Sequence, residues 1–329
     1  MSRPAIEVVH IGSAARDIAP DDPRGWRLGG GVSYAALTTA RLGLRTAALV
    51  GVDDLASTAR EFDALHAAGV EVRMVHLDEG PIFHNTETPA GRVQVVLATG
   101  VPLDPAPVPS SWLAAPGWSL VPVAGEVGDG WVERIPDGAT VAVGWQGLLR
   151  TLVAGERVKR RSPAPMALLR RADLVAVSHL DVDTTTRLAD LLALLAPAAR
   201  LLVTQGEHGG LLVTAAKSGL LEVLRYLPTR ADRLVDATGA GDTFLAALLA
   251  TVVRPSILRA PAWAPARAGT SVGSDLHFAA AAGSLAVEAV GLAGVPDLRA
   301  VLRRRAREGV RRVVVPSPDI RVGDVPAFS

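Results

Sequence analysis

The feature that most limits how this chain can fold is an alternation of short apolar runs with segments of helical periodicity. Runs such as 6–11 (IEVVHI) are apolar, rich in β-branched residues and bounded by glycine, which predicts buried strands. The predicted strands cover 6–11, 46–51, 70–77, 92–98, 119–121, 140–143, 174–177 and 201–204, and the predicted helices cover 32–42, 54–68, 184–195, 242–252, 275–290 and 297–305. Strands that alternate with helices in this way form a mainly parallel sheet with helices on both faces.

The length and composition favour one large domain. The chain has 329 residues, of which 49% are hydrophobic but only 4% aromatic, so the apolar residues are mostly Ala, Leu and Val. This mixture suits close-packed helices on a sheet and excludes a disordered chain. We expect a single domain over 1–329, with an extended linker at 102–109 and a surface insertion rich in Pro, Ala and Arg at 254–273.

Charge and cysteine content exclude several classes of protein. A net charge of +1 provides no electrostatic attraction for nucleic acid or an anionic membrane. The absence of cysteine excludes disulfides, thiolate zinc sites, iron–sulfur clusters and a cysteine nucleophile. The uncharged apolar stretch 243–253 is too short for a membrane span, which needs about 20 residues. No signal peptide precedes the first strand, so we expect a soluble cytoplasmic protein.

The most informative motif is DATGAGDTF at 236–244, which precedes a predicted helix. Small residues there let a ligand approach the backbone, and the first N–H groups of a helix favour an anion. Gly239, Ala240 and Gly241 would form this anion cradle. A carboxylate beside it, Asp242, suits a base that takes a proton from an attacking hydroxyl in phosphoryl transfer. The alternative is a structural role, with Asp242 as a helix N-cap and the glycines as a turn.

The motif resembles the second signature of the pfkB (ribokinase-like) carbohydrate kinase family. The first signature is also present as GGGVSY at 29–34, followed by Gly43 and ALVGVDD at 48–54. GSAARD at 12–17 is similar to the family's first strand end, and LVTQGEHGG at 202–210 is similar to its nucleotide-binding turn. The four motifs occur in family order, from residue 6 to about residue 290.

This resemblance implies a three-layer α/β/α kinase that uses ATP and Mg²⁺, and allows a monovalent cation, to phosphorylate a hydroxyl of a small sugar, cyclitol or nucleoside. It implies Asp242 as the base and the backbone of Gly239, Ala240 and Gly241 as the anion hole. The implied substrate contacts are Asp17, Gly29, Gly30, Tyr34, Gln146 and Arg150, and the implied nucleotide contacts are Thr204, Gly206, Gly209 and Thr238. The implied partners are small molecules, and the chain is expected to be a monomer or a homodimer.

Several positions depart from the family pattern. Ala237 replaces the usual Thr or Pro, and Tyr34 stands where many members have Asn. The family's Asn-x-x-Glu, which orders the water around the metal, aligns with Ser178 to Asp181, and Asp181 would serve magnesium through water. Only 11 residues, 18–28, separate Asp17 from the glycines, so we expect a reduced β lid from about 13–30 and 70–100. The spacing of Gln146 and Arg150 resembles the myo-inositol kinase-like branch.

The sequence leaves some alternatives open. Arg150 could guide a phosphate or end a surface segment, Tyr34 could contact substrate or pack, and we expect packing for Trp145. A phosphorylated acceptor needs a basic clamp, for which the candidates are Arg16, Arg24, Arg27 and Arg92. None of the seven histidines has metal-ligand spacing, and His179 alone lies beside the expected metal shell.

A protein that binds nucleotide or metabolite without turnover is the alternative function. A dinucleotide oxidoreductase is disfavoured because residues 29–31 lack its glycine spacing and acidic partner.

Overall fold

The computed structural model describes residues 5–88, 91–215, 221–259, 273–307, 312–315 and 321–324. Most of the predicted insertion, residues 260–272, lies outside the described residues. The strands are β1 Val8–Ser13, β2 Ala15–Ile18, β3 Trp26–Gly29, β4 Thr46–Val52, β5 Glu71–His76, β6 Ile82–Thr88, β7 Gly91–Ala98, β8 Gly117–Leu120, β9 Thr140–Gly144, β10 Arg150–Thr151, β11 Lys159–Arg160, β12 Leu174–Ser178, β13 Arg200–Thr204, β14 Gly210–Ala215, β15 Leu221–Tyr226 and β16 Arg312–Val315. The α-helices are α1 Gly31–Arg41, α2 Asp54–Ser57, α3 Glu61–Ala67, α4 Ala167–Arg171, α5 Leu188–Leu192, α6 Ala240–Val253, α7 Ser274–Ala286 and α8 Leu298–Arg307. Short 3₁₀ turns lie at Ser110–Trp112, Asp129–Arg134, Gln146–Leu149, Gly206–His208, Pro255–Leu258, Gly291–Gly294 and Val322–Asp324.

The central sheet is mostly parallel, as the alternation of strands and helices predicts. Its order within the described residues is β16-β15-β14-β13-β12-β9-β8-β1-β4-β5. The pairings from β13 to β5 are all parallel, whereas β14, β15 and β16 extend the sheet by antiparallel pairings. Parallel strands end at the same edge, so the carboxyl ends of β1, β8, β9, β12 and β13 meet there.

Both faces of this sheet are covered, which makes the molecule a three-layer sandwich. Alternate side chains of β1 enter different cores: Val8 packs on one face, and Val9 and Ile11 pack on the other. Helices α1, α6 and α7 pack together over the first face, and the side chains of α4 and α5 fill the second. The fold class expected from the sequence is therefore confirmed.

A second, four-stranded sheet follows directly from the carboxyl end of β1. Its order is β3-β2-β6-β7, and we call it the small sheet. We call residues 150–161 the arm; its ends, β10 and β11, pair with each other, and Arg157 forms a β-bridge with Val95 of β7. The arm therefore lies along the outer edge of the small sheet.

Three predicted elements differ from the observed ones. The predicted helix 54–68 is two helices, α2 and α3. Residues 70–77, predicted in a meander, form β5 at the edge of the central sheet. The predicted helix 184–195 is helical only over Leu188–Leu192, because the side chain of Asp183 accepts hydrogen bonds from the backbone and hydroxyl of Thr185 and holds a turn.

Within the described part of the chain, no helix combines the length and apolar character that crossing a membrane requires.

Candidate active site

Two carboxylates lie against the same glycine triplet. Asp17 belongs to β2 of the small sheet, and Asp242 lies in the first turn of α6. A Cβ atom added to Gly29 would overlap the carboxylate of Asp17, and one added to Gly31 would lie 2.5 Å from Oδ1 of Asp242. The missing side chains of the triplet are thus what allow both carboxylates to approach the start of α1. The structure therefore brings together two residues that the motifs placed 225 positions apart.

The amino end of α6 has the geometry of an anion cradle. Gly239 precedes the helix with φ +76°, a left-handed conformation that favours glycine. Gly241 is exposed, and a Cβ atom added there would meet nothing within 4 Å. The first N–H groups of a helix have no partner within the helix. Here the N–H of Ala240 makes a long hydrogen bond of 3.4 Å to the carbonyl oxygen of Ala237, and Gly241 is the residue whose backbone borders the open space.

Asp242 stands beside these donors in a desolvated position. Burial raises the pKa of Asp242 to about 6; the nearby Asp181 raises it further, and Arg150 opposes the shift. At neutral pH the carboxylate is mostly ionised, yet it binds a proton more readily than an exposed Asp. These properties suit a general base.

Asp17 is held by a chain of amide side chains. Its Oδ1 accepts a hydrogen bond from Nδ2 of Asn85 at 3.2 Å, and Oδ1 of Asn85 accepts one from Gln94 at 2.7 Å. Burial raises the pKa of Asp17 to about 6, and Arg92 is the main opposing charge. Sequence reasoning missed Asn85 and Gln94. Gln94 lies in the predicted strand 92–98, but the strand that holds Asn85 was not predicted, so the sequence carries no signal for this pair.

Arg150 faces the carboxylates rather than ending a surface segment. Asp181, Asp242 and Asp17 are the nearby charges that raise its pKa, against the lowering by burial. Its Nη1 donates to the carbonyl oxygen of Val123 at 3.1 Å. This placement answers the question of location that the sequence left open, while contact with a phosphate stays a prediction.

Asp181 and Gln146 form a pair beside Arg150. Nε2 of Gln146 donates to Oδ1 of Asp181 at 3.3 Å, and the backbone N–H of Ser178 donates to Oδ2 at 3.2 Å. Burial raises the pKa of Asp181. Among the described residues, no group of three or more His, Asp or Glu side chains could hold a metal ion. Magnesium keeps much of its hydration, so a single carboxylate is compatible with the water-mediated role expected for Asp181, which stays a prediction.

A buried carboxylate that the sequence analysis missed, Glu126, fixes one wall of the cleft. It accepts hydrogen bonds from the backbone N–H groups of Ser13 at 2.9 Å and Ala124 at 2.8 Å, and from that of Val123. Glu126 thus ties the end of β1 to the loop that offers the Val123 carbonyl to Arg150. A lone Glu in a glycine-containing loop carries no sequence signal for this role.

Tyr34 packs behind the cradle. Its side chain is only 2% exposed, and a Cβ atom added to Gly239 would overlap its ring. Burial and the nearby Asp236, Asp17 and Asp242 hold its pKa well above the usual value. Packing is therefore the role that the structure describes, and contact with the acceptor stays a prediction. Trp145, 1% exposed, packs in the second core as expected.

Arg92 links the small sheet to the loop before α6. Its Nη1 donates to Oγ1 of Thr238 at 3.2 Å, and its Nη2 lies 3.7 Å from Oδ1 of Asp236. The other clamp candidates pair with carboxylates: Arg16 with Asp53, Arg24 with Asp22 and Glu61, and Arg27 with Asp21. Of the four candidates, Arg92 is thus the one bound across the cleft to the DATG turn.

The predicted nucleotide turn lies beside the Asp181 turn. Ser178 at the end of β12 is in register with Thr204 at the end of β13. Gly206 and Gly209 have φ values of +57° and +80°, so this turn requires glycine at both positions. Contact of these residues with a nucleotide stays a prediction, as does that of Thr238.

Part of the chain matches a known protein family. Residues 159–298 match the family described as pfkB family carbohydrate kinase. The bifunctional protein HldE of Pseudomonas putida (strain F1) is 36% identical over 121 residues, which cover 35% of this chain and 20% of that protein. The match thus spans about a fifth of the length of this curated relative.

Solved structures of the ribokinase family share the fold. A pyrophosphate-dependent kinase in the ribokinase family, complexed with a pyrophosphate analog and myo-inositol, has a TM-score of 0.65 and 19% identity, covering 90% of this chain and 98% of its own. Ribokinase of Arabidopsis thaliana, complexed with ribose and ATP, has a TM-score of 0.61 and 20% identity, covering 92% and 99%. The family resemblance drawn from the motifs is therefore confirmed, whereas the myo-inositol kinase-like branch stays a prediction.

Proposed function

We propose that this protein is an ATP-dependent phosphotransferase. The premise is that residues 159–298 match the pfkB carbohydrate kinase family and that the chain has the fold of ribokinase. It moves the γ-phosphoryl group to a hydroxyl of a small sugar, cyclitol or nucleoside. Asp242 is the base, and the backbone of residues 239–241 is the anion hole.

The observation that carries this proposal is the position of Asp242. Its carboxylate contacts Gly31 at one side of the glycine triplet, while Asp17 contacts Gly29 at the other. A hydroxylated molecule bound by Asp17 would therefore lie close to a base of raised pKa and to the amino end of α6. This is the arrangement that in-line transfer to an alcohol requires.

The reaction assigns one task to each group. Asp242 accepts the proton of the acceptor hydroxyl. The hydroxyl oxygen then bonds to the γ-phosphorus, and the bond from this phosphorus to the leaving diphosphate breaks. The N–H groups at the start of α6 donate to the phosphoryl oxygens, whose charge they stabilise. Arg150 adds a permanent positive charge beside Asp242, Asp181 and Asp17. This charge offsets the repulsion that a phosphate anion would otherwise meet from the three carboxylates.

Magnesium bound with the donor phosphates would be held by Asp181 through water, and it would neutralise phosphate charge. Gln146 and the N–H of Ser178 keep the Asp181 carboxylate oriented in this turn.

The acceptor class is the part of the proposal that a screen resolves. Relatives of this fold were solved with myo-inositol and with ribose, and the pair Gln146 and Arg150 resembles the inositol branch. The screen offers inositols, ribose, fructose, nucleosides and their monophosphates, each with ATP and with pyrophosphate as donor. We expect a phosphorylated product with ATP for one acceptor class, detected by mass spectrometry. Binding of ATP without any product across the panel would instead support a non-catalytic binding protein.

Replacement of the base tests the mechanism directly. Asp242→Asn keeps the shape of the side chain but cannot accept the proton, so we expect kcat to fall by about 10²–10⁴-fold. Calorimetry should show that ATP still binds, because the backbone donors remain. The control is Asp104→Asn, at an exposed carboxylate, which should keep full turnover. Equal turnover of Asp242→Asn and the wild type would show that the base is assigned wrongly.

A further inference from the structure

The arm acts as an additional strand of the small sheet. Gly155 donates to the carbonyl oxygen of Val96 at 2.8 Å, and Val96 donates to that of Glu156 at 3.0 Å. Val158 donates to the carbonyl oxygen of Gln94 at 2.9 Å. These backbone bonds hold the middle of the arm on β7, while its first residue is Arg150.

The arm and the small sheet also share a core. This core is separate from the two large ones on the faces of the central sheet, and it consists of Ala15, Phe83 and Val96 with Val123, Ala124, Leu152 and Val158 packed against them. The arm therefore has both hydrogen bonds and apolar contacts to the small sheet. Any displacement of the β6–β7 hairpin relative to the arm would break these bonds and expose this core.

Phe83 connects this core to the cleft. It lies on β6, is 1% exposed, and its ring is 5.7 Å from the guanidinium carbon of Arg150. The same guanidinium donates a hydrogen bond to the carbonyl oxygen of Val123, which lies in the loop that Glu126 holds in place. An arginine side chain has many rotamers, and these two contacts select the one that faces the carboxylates.

We infer that Phe83 is a positioning residue for Arg150, and that the arm moves with the β6–β7 hairpin as one body. This body holds the Arg150 guanidinium beside Asp17, Asp181 and Asp242, where the proposed function places the phosphoryl group. The consequence for catalysis rests on the proposed function. The alternative is that Phe83 only fills the shared core.

A double-mutant cycle separates positioning from packing. Phe83→Leu keeps an apolar side chain but removes the ring face, and we expect kcat to fall about 3- to 30-fold. Val96→Ala removes packing from the same core without touching Arg150, and it should keep kcat within about twofold. In an Arg150→Lys background, which already lacks the planar guanidinium, Phe83→Leu should add less than about twofold. Equal losses for Phe83→Leu and Val96→Ala, or a full additional loss in the Arg150→Lys background, would overturn the positioning role.

A disulfide tests whether the arm and hairpin move together. Val95 and Arg157 are an antiparallel pair without direct hydrogen bonds, the type whose Cα atoms lie close enough for a disulfide. The chain has no cysteine, so Val95→Cys with Arg157→Cys creates the sole thiol pair. We expect the oxidised and reduced forms to turn over within about twofold of each other. Loss of turnover on oxidation and recovery on reduction would show that the two elements must separate, and failure to oxidise would contradict the pairing itself.

Hydrogen exchange provides a readout that needs no turnover. Amides at 93–98 and at 155–158 should exchange at a common rate, and Phe83→Leu should accelerate both sets by a similar factor. Rates that differ more than about tenfold would overturn the one-body arrangement. If the wild type phosphorylated no acceptor while the rates agreed, the proposed function would fail and the coupling would stand.

Discussion

At the scale of single residues, the buried position of Asp242, the proposed base, carries a cost in stability. Burial raises its folded-state pKa to about 6, compared with 3.8 in the unfolded chain. Between these two values the folded protein binds more protons than the unfolded one, so the contribution of Asp242 to stability falls as the pH rises from about 4 to 6. Above pH 6 the full penalty of an ionised, desolvated carboxylate remains.

Replacement of Asp242 should therefore stabilise the protein in a pH-dependent manner. We expect Asp242→Asn to melt about 2–6 °C above the wild type at pH 8, since the neutral amide avoids the cost of burying a charge. At pH 4 the wild-type carboxyl is protonated and the difference should nearly vanish. Calorimetric melting at several pH values measures this, with the exposed Asp104→Asn as a control that shows no such trend. A gain that is the same at both pH values would contradict the raised pKa.

The site residues that could be predicted from sequence are those that carry a local motif. Asp242 and the glycines around it stand in one short segment, and Asp17 ends a predicted strand. Glu126 and Phe83 could not be predicted, because their partners are set by the packing of distant segments: Glu126 binds the backbone of Ser13, and Phe83 meets Arg150. Motifs encode backbone conformations and chemistry, whereas positioning contacts arise from tertiary structure.

At the scale of elements, the amino end of α6 depends on a fit between Gly239 and the Tyr34 ring. Gly239 needs its left-handed conformation and also leaves the space that this ring fills. The cradle is thus held in place from behind by α1.

Two alanine substitutions in the cradle should differ strongly in their effect on stability. Gly239→Ala places a Cβ atom on the Tyr34 ring at φ +76°, and we expect a loss of roughly 2–4 kcal/mol in the free energy of unfolding. Gly241→Ala meets nothing within 4 Å, so its free energy of unfolding should stay within about 0.5 kcal/mol of the wild type. Urea denaturation measures both values. Equal stability of the two variants would show that the packing of the Tyr34 ring does not require the missing side chain of Gly239.

Sequence patterns predict strands well where both faces are buried. Strands β1, β4, β9, β12 and β13 coincide with the predicted apolar runs, because a strand buried on both faces is apolar throughout. The small sheet was predicted less well: β6 was missed, and β5 was assigned to a meander although it pairs with β4. Half-exposed strands mix polar and apolar residues, so their partners cannot be read from the pattern.

At the scale of the whole molecule, the two halves of the small sheet are attached in different ways. The β2–β3 half is bound to the central body by ion pairs between Arg24 and Glu61 at 2.6 Å and between Arg16 and Asp53 at 2.9 Å. Glu61 also accepts a hydrogen bond from the backbone of Leu28 at 3.2 Å. The β6–β7 half is held by the arm and by the contact of Arg92 with Thr238 across the cleft. The first attachment is to the rigid core, and the second is to segments that border the site.

This difference predicts that the halves respond differently to ligand. Amides at 15–29 should exchange slowly with or without acceptor, whereas those at 82–88 and 91–98 should slow by tenfold or more when donor and acceptor bind. Glu61→Gln weakens the Arg24 ion pair while keeping a similar shape, and it should speed exchange at 15–29 by about tenfold without affecting β12. Mass spectrometry of exchanged peptides measures these rates, with β12 and β13 as internal references. Uniform protection of the small sheet by ligand would show that it moves as a single unit, and then Arg24 and Glu61 would not anchor one half of it.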